Sequence, residues 1–342
     1  MAKFERIDFQ PRDWDKKLAT FQDRNVFQTS AWLSFLVASQ NGEPVLAALK
    51  EGESTLGYFA GMLVRKFKLK ILGSPFRGWS SPYMGFNLSD SVSRRIAAEA
   101  LPHFAFSTLG CMHLEVVDMG MKSEDLQGIG SNPVLNHTIE IDLTQTEDKL
   151  FENMSKTCRW SIRKAEKNGI VIEEAQDMGF ADDYSNQLED VFAKQGRVPH
   201  FGLERVRALI QHVHPTGTLL LLRARDLEGR CIATGIFPGM NHHAFFWGGA
   251  SWREHQKLLP NELLQWHAMK YWKNRGIKSY NMVGTMEFKQ KFGGVQTSVP
   301  LFSKSRYRVI SQLRSSAPRI TQGILKIGWK LKRFGRGKRA AS

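Results

Sequence analysis

Cysteine is scarce in this chain. Cys111, Cys158 and Cys231 are the three in 342 residues, and they lie far apart. So small and odd a set excludes a disulfide framework and a zinc knuckle, and it suits a reducing cytoplasm. Long apolar runs are missing too: none approaches the roughly 18 residues needed to cross a bilayer. The opening Met1-Ala-Lys-Phe-Glu lacks the apolar centre of a secretory signal. Acids vanish beyond Glu287, whereas 14 of the 48 basic residues lie there, so residues 1–287 carry only +1 of the net +15. That distribution excludes a uniformly basic nucleic-acid-binding domain, and no DNA-binding module is recognisable. No Gly-x-Ser-x-Gly elbow or Cys–His pairing offers a protein nucleophile. His212, His214, His242 and His243 lack a third convergent partner, which disfavours a metal site.

What is present is a pattern that occurs twice. Val45–Lys50 and Thr55–Val64 read as strands, followed by a helix from Ser91 to Leu109, Gly110 as its stop, and a strand Met112–Asp118. Later, Thr218–Ala224, Cys231–Phe237 and Ala244–Gly248 read as strands, followed by a helix Asn261–Arg275, Gly276 as its stop, and a strand Lys278–Met282. Glycine just past a helix fits a left-handed end position. Between these halves, Thr138–Leu143 alternates as a half-buried strand does, and the Thr144/Glu147 spacing predicts a capped helix through about Asn168. Lys156, Arg159, Arg163 and Lys167 share one face of it. That face is either a solvated stripe or a wall for a phosphate or carboxylate.

Two segments together carry a resemblance. One is Lys156-Thr-Cys-Arg159-Trp-Ser-Ile-Arg163, continuing to Gly169; the other runs from Leu259-Pro260-Asn261-Glu262 through Gly276 to Glu287-Phe288-Lys289-Gln-Lys-Phe292-Gly293. With Phe27-Gln-Thr-Ser-Ala-Trp32 and the Gly78-Trp-Ser-Ser-Pro82 loop, the sequence resembles the Fem-type (FemAB-like) peptidoglycan-bridge aminoacyltransferases of the GNAT superfamily over residues 25–303. The resemblance implies an α/β fold of two GNAT-like (acyl-CoA N-acyltransferase) domains in tandem, with mixed central sheets flanked by helices. It places an N-terminal domain at 1–143 and a C-terminal acyltransferase domain at 144–303, and the charge and spacing beyond them read as a basic amphipathic tail at 304–342. It gives Lys289, with Phe288 beside it, contact with an anionic substrate or donor, and it sets Arg197, His200 and Phe201 in an acceptor pocket.

Acyl transfer to an amine needs an oriented, deprotonated nucleophile and a stabilised oxyanion. Lys289 and Arg159 are the candidates for that stabilisation, with Arg163 on the same helix face. Glu262 is the candidate proton acceptor, Glu287 its alternative, and Trp252 a stacking surface for a base or sugar. The expected activity is transfer of an aminoacyl or acyl group to an amine or hydroxyl of a cell-envelope precursor. No permanently bound cofactor is expected, and the donor is aminoacyl-tRNA or acyl-CoA. Two alternatives stand beside it: an acetyl-CoA-dependent N- or O-acetyltransferase of exopolysaccharide biosynthesis, and a non-catalytic envelope-assembly scaffold. Against coenzyme A stands the stretch Ser251–Pro260, which contains no glycine to bring backbone N–H groups onto a pyrophosphate. In the tail, Ile324, Ile327, Leu331 and Phe334 face away from Lys326, Lys330 and Arg333 if helical, which predicts peripheral association with an anionic inner membrane.

Overall fold

The computed structural model describes residues 1–66, 69–129, 133–194, 199, 202–307 and 310. Arg197, His200, Phe201 and the tail segment Ile324–Phe334 lie outside the described residues.

The first half comprises strand β1 (Lys3–Ile7), helices α1 (Pro11–Ala19) and α2 (Ser30–Gln40), strands β2 (Glu43–Glu51), β3 (Ser54–Lys66), β4 (Leu69–Ser74) and β5 (Gly85–Leu88), helix α3 (Arg94–His103) and strand β6 (His113–Val117). The second begins with β7 (Val134–Asp142), α4 (Glu147–Asn153), α5 (Lys156–Lys167), β8 (Val171–Glu174), α6 (Phe180–Lys194) and α7 (Leu203–Val213). It continues through β9 (Leu219–Arg225), β10 (Cys231–Met240), β11 (His243–Phe245), β12 (Gly248–Ser251), α8 (Pro260–Asn274), β13 (Ser279–Asn281), α9 (Glu287–Gln290) and β14 (Val295–Ser305).

Both halves follow one plan, an antiparallel run of strands ending in a parallel pair. In the first, β1-β2-β3-β4 is antiparallel and β4 runs parallel to β6. In the second, β8-β9-β10-β11 is antiparallel and β11 runs parallel to β13. Two strands join the halves: β7 pairs antiparallel with β13, while β14 leaves the second half, pairs along β7 and reaches β6. The result, among the described residues, is one continuous 14-stranded mixed sheet flanked by helices, in which the α/β plan runs twice in tandem.

Local chemistry explains where the helices begin and end. Gly169 and Gly276 adopt φ of 74° and 81° past α5 and α8, a conformation that side chains with a Cβ disfavour. The single helix expected from Thr144 to Asn168 is instead two. Ser155 breaks it: its hydroxyl caps α5 by accepting from Cys158 N–H at 3.2 Å, while its own N–H donates to Lys291 O at 2.9 Å. Thr146, not Thr144, caps α4 through Lys149 N–H, because the Thr144 hydroxyl is already donating to Asp142.

Three apolar clusters fill the layers. One lies under α3 in the first half and one under α5 and α8 in the second. The third spans the halves, bringing Phe27 and Trp32 against Val206, Leu209 and Phe245. Each such aromatic contributes about 1.5–3 kcal/mol on burial, so the halves are packed as one body.

Candidate acyl-transfer site

The second half opens where its parallel strands part. β11 stays with β13 only through Phe245 and Asn281, the last contact being Phe246 N–H to Asn281 O at 2.9 Å. One residue further, Trp247 N–H turns to Ile236 O on β10, and β12 continues along β10 one register out of step with β11. That single-residue insertion is a bulge, a device that bends one strand away from its neighbour. Across the gap, Met282 N–H follows β7 by donating to Ile139 O at 2.8 Å. The rim is within reach of solvent: Phe246, Trp247, Gly248, Val283 and Gly284 are half-buried and Gly249 is exposed.

Lys289 points into this parting. It sits on the single turn α9 and is 7% exposed. Its ammonium donates to Val283 O and lies 5.4 Å from the centre of the Phe246 ring. Among the described residues no carboxylate pairs with it, and burial alone pulls its pKa down to about 8. A buried cation with one carbonyl and one ring for company is costly to the fold, and such groups concentrate at reactive sites.

The carbonyl it meets belongs to a strained turn. Val283 adopts φ of 52°, a left-handed conformation costing a β-branched residue about 1–2 kcal/mol. Its N–H donates to Asn281 Oδ1 at 2.8 Å, and Gly284 N–H donates to Thr138 Oγ1 at 3.1 Å. The Thr138 hydroxyl donates to Asn281 Oδ1 at 2.8 Å, and Asn281 Nδ2 donates to the Tyr83 hydroxyl of the first half at 3.3 Å. Asn281 and Thr138 are each 2% exposed and Tyr83 4%. None of these three was singled out from sequence, although Tyr83 directly follows the Gly78–Pro82 loop. That loop reaches the same place: Trp247 Nε1–H donates to Ser80 O at 2.6 Å.

The remaining candidates sit around α9. Phe288 stacks edge-on against Phe292 at 5.3 Å and lies 6.5 Å from Phe246. Glu262, in the first turn of α8, is ion-paired with Lys291 at 2.5 Å, and Lys291 covers the Phe288 ring at 4.4 Å. The α4–α5 junction is packed on this segment, since Ser155 binds Lys291 O and a Cβ at Gly293 would meet Asn153 O at 2.6 Å. Arg159 belongs to that junction but spends its guanidinium on the carbonyls of Glu152 and Met154 at 2.6 and 2.5 Å. Arg163 is exposed and lies over Phe151 at 5.1 Å. Trp252 is half-buried, its N–H donating to Ile232 O at 3.0 Å. Lys289, Phe288 and Glu262 are thus gathered around one segment, whereas Arg159 ties up the neighbouring α4–α5 junction, Arg163 lies over Phe151 and Trp252 is bonded to β10.

Residues 152–290, which hold both parting strands and Lys289, match the family model for an acetyltransferase (GNAT) domain. The second half thus carries a GNAT-type acetyltransferase domain over these residues. The tandem arrangement also has solved counterparts. A crystal structure of FemX is similar with a TM-score of 0.70 at 13% identity, over 90% of this chain and 99% of that one. The structure of L-PGS from Bacillus licheniformis gives 0.57 at 11% identity, over 89% and 95%. A tandem GNAT protein from the clavulanic acid biosynthesis pathway gives 0.52 at 9% identity, over 89% and 98%. At these identities the structures share the fold. No curated protein sequence matches the chain.

Proposed function

We propose that this protein transfers an aminoacyl or other acyl group from an activated ester to an amine or hydroxyl of a cell-envelope precursor. The observation that carries the reading is the buried ammonium of Lys289 at the parting of β11 and β13, with no carboxylate partner among the described residues. In the reaction, the acceptor nitrogen or oxygen attacks the acyl carbon, the new bond forms, and the carbonyl oxygen becomes an oxyanion. Collapse expels the donor's alcohol, which takes up one proton as the acceptor loses one. An ammonium in low dielectric stabilises the oxyanion, and with a pKa of about 8 it also protonates the leaving oxygen at neutral pH. The Glu262–Lys291 pair and Phe288 form the adjoining wall, and Glu262 is the nearby carboxylate for taking the acceptor's proton once Lys291 moves off it. Arg197, His200 and Phe201 remain the proposed acceptor contacts.

The start of α8 favours a donor other than coenzyme A. Leu259 precedes it at φ 63°, Pro260 removes one N–H, and no side chain caps the helix. The first turn instead presents buried Glu262, a negative group where a pyrophosphate would have to sit. We therefore take aminoacyl-tRNA as the donor. Incubating the protein with charged tRNA, and separately with acetyl-CoA, against a lipid-linked precursor extract tests it by the mass gained. An aminoacyl increment that disappears with Lys289→Met is expected. An acetyl increment overturns the donor assignment, and no increment from either donor overturns the transferase reading. The basic tail is proposed to hold the protein at the anionic inner membrane. Deleting residues 316–342 should then abolish sedimentation with anionic liposomes, and equal sedimentation contradicts it.

A further inference from the structure

We propose that Asn281 is a positioning residue through which the first half places the Lys289 ammonium: tied to Tyr83 and Thr138, it fixes the left-handed Val283–Gly284 turn whose carbonyl receives that ammonium. This deepens the transferase reading above and rests on Lys289 serving the chemistry.

The hydrogen-bond inventory closes on this arrangement. Asn281 Oδ1 accepts from Val283 N–H and from the Thr138 hydroxyl, both at 2.8 Å, which fills its two lone pairs. Its Nδ2 donates to Tyr83 OH at 3.3 Å. Thr138 in turn accepts from Gly284 N–H at 3.1 Å. Two successive N–H groups of the turn are thereby held by side chains of β13 and β7, and Val283 is kept at φ 52°, which an unsupported valine leaves. With both N–H groups directed back into the sheet, Val283 O is turned towards Lys289 Nζ. Tyr83 is the contribution of the other half, reaching Asn281 from the end of the loop that also takes Trp247. The contact spans 198 residues of sequence, so it forms only when the halves are docked.

The consequence is measurable without any substrate. If the turn relaxes, Lys289 loses its carbonyl and swings towards water. An NMR titration of the lysine side-chain nitrogens in the full chain, with Lys289 assigned by its absence in Lys289→Met, reads this directly. Wild type should titrate at about 8. Thr138→Val and Asn281→Ala should move the midpoint up by about one unit or more, towards the ordinary lysine value of about 10.4. Tyr83→Phe, which removes one oxygen and keeps the ring, should move it the same way by less. Thr138→Ser retains the hydroxyl and should titrate as wild type does. In a transfer assay kcat should fall about tenfold or more with KM little changed for Thr138→Val, because a displaced ammonium costs transition-state stabilisation. The idea is overturned if folded Thr138→Val and Tyr83→Phe both keep the Lys289 midpoint within about 0.2 unit of wild type. Should the Asn281 variant fail to fold, these two decide the matter. A wild type that transfers nothing, with midpoints that still shift as described, upholds the positioning and overturns the transferase reading alone.

Discussion

The two halves share a plan and differ in what they bury just past their parallel strands. Beyond β6 the first half buries Asp118, which accepts from Arg94 Nε–H at 2.5 Å, Phe86 N–H at 2.7 Å and Gly120 N–H at 3.0 Å, while Arg94 also meets Asp23 at 2.7 Å. Its gap is closed by its own chain, since the loop after β4 returns with Met84 N–H bonded to Val117 O at 3.0 Å. Beyond β13 the second half buries Lys289, which no carboxylate among the described residues compensates. Paired buried charge is architecture, whereas an unpaired buried cation costs stability and is kept where chemistry needs it. On the proposed reading, one half of the duplicated fold supports and the other reacts.

Substitutions at the two places should separate these roles. The largest effect is expected of Lys289→Met in transfer assays, a loss of about 100–1,000-fold in kcat. In urea unfolding at pH 7 the same change should stabilise the protein by about 2 kcal/mol, since it removes a desolvated charge. Asp118→Ala should do the reverse, costing about 3 kcal/mol by leaving Arg94 with Asp23 alone and the Phe86 and Gly120 N–H groups without their acceptor, while keeping the kcat of folded protein within about threefold. A large kcat loss there would erase the contrast between the halves.

The pH dependence sharpens the point. The Lys289 pKa is lower when folded, about 8, than its ordinary 10.5, so the cost of its buried ammonium is full below pH 8 and fades as pH rises towards 10.5. Wild type should therefore gain stability relative to Lys289→Met across that window, measured as the difference in unfolding free energy. A constant difference would place the ammonium in water. The smallest effect is expected of Glu262→Gln, about 1–2 kcal/mol of stability from the part-buried pair with Lys291 and less than tenfold in kcat. A loss beyond about 100-fold would make proton transfer to Glu262, rather than oxyanion stabilisation by Lys289, the step that limits the rate.

The local pattern was legible where one residue type decides the outcome. Gly169 and Gly276 mark helix ends in sequence because the left-handed turn needs them, and the alternation of Ile139 and Ile141 marks β7. What stayed hidden depends on distant partners. Ser155 gives no sign that Lys291 O waits for its N–H, so one helix is expected where two form. The pairing of β14 with β6 cannot be read from either strand alone. At the site, the Phe-Lys-x-x-Phe-Gly motif points to Lys289 but not to its burial, since a lysine on a four-residue helix reads as a surface group. Thr138, Asn281 and Tyr83 are single polar residues whose meaning appears only when separations of 143 and 198 residues close.

The most direct trial of the Lys289 ammonium is chemical rescue. Lys289→Ala should be nearly inactive in single-turnover acyl transfer and should recover saturably when ethylammonium is supplied, because a small cation can occupy the space the side chain leaves. Lys289→Ala that transfers at the wild-type rate with no amine added would contradict the account.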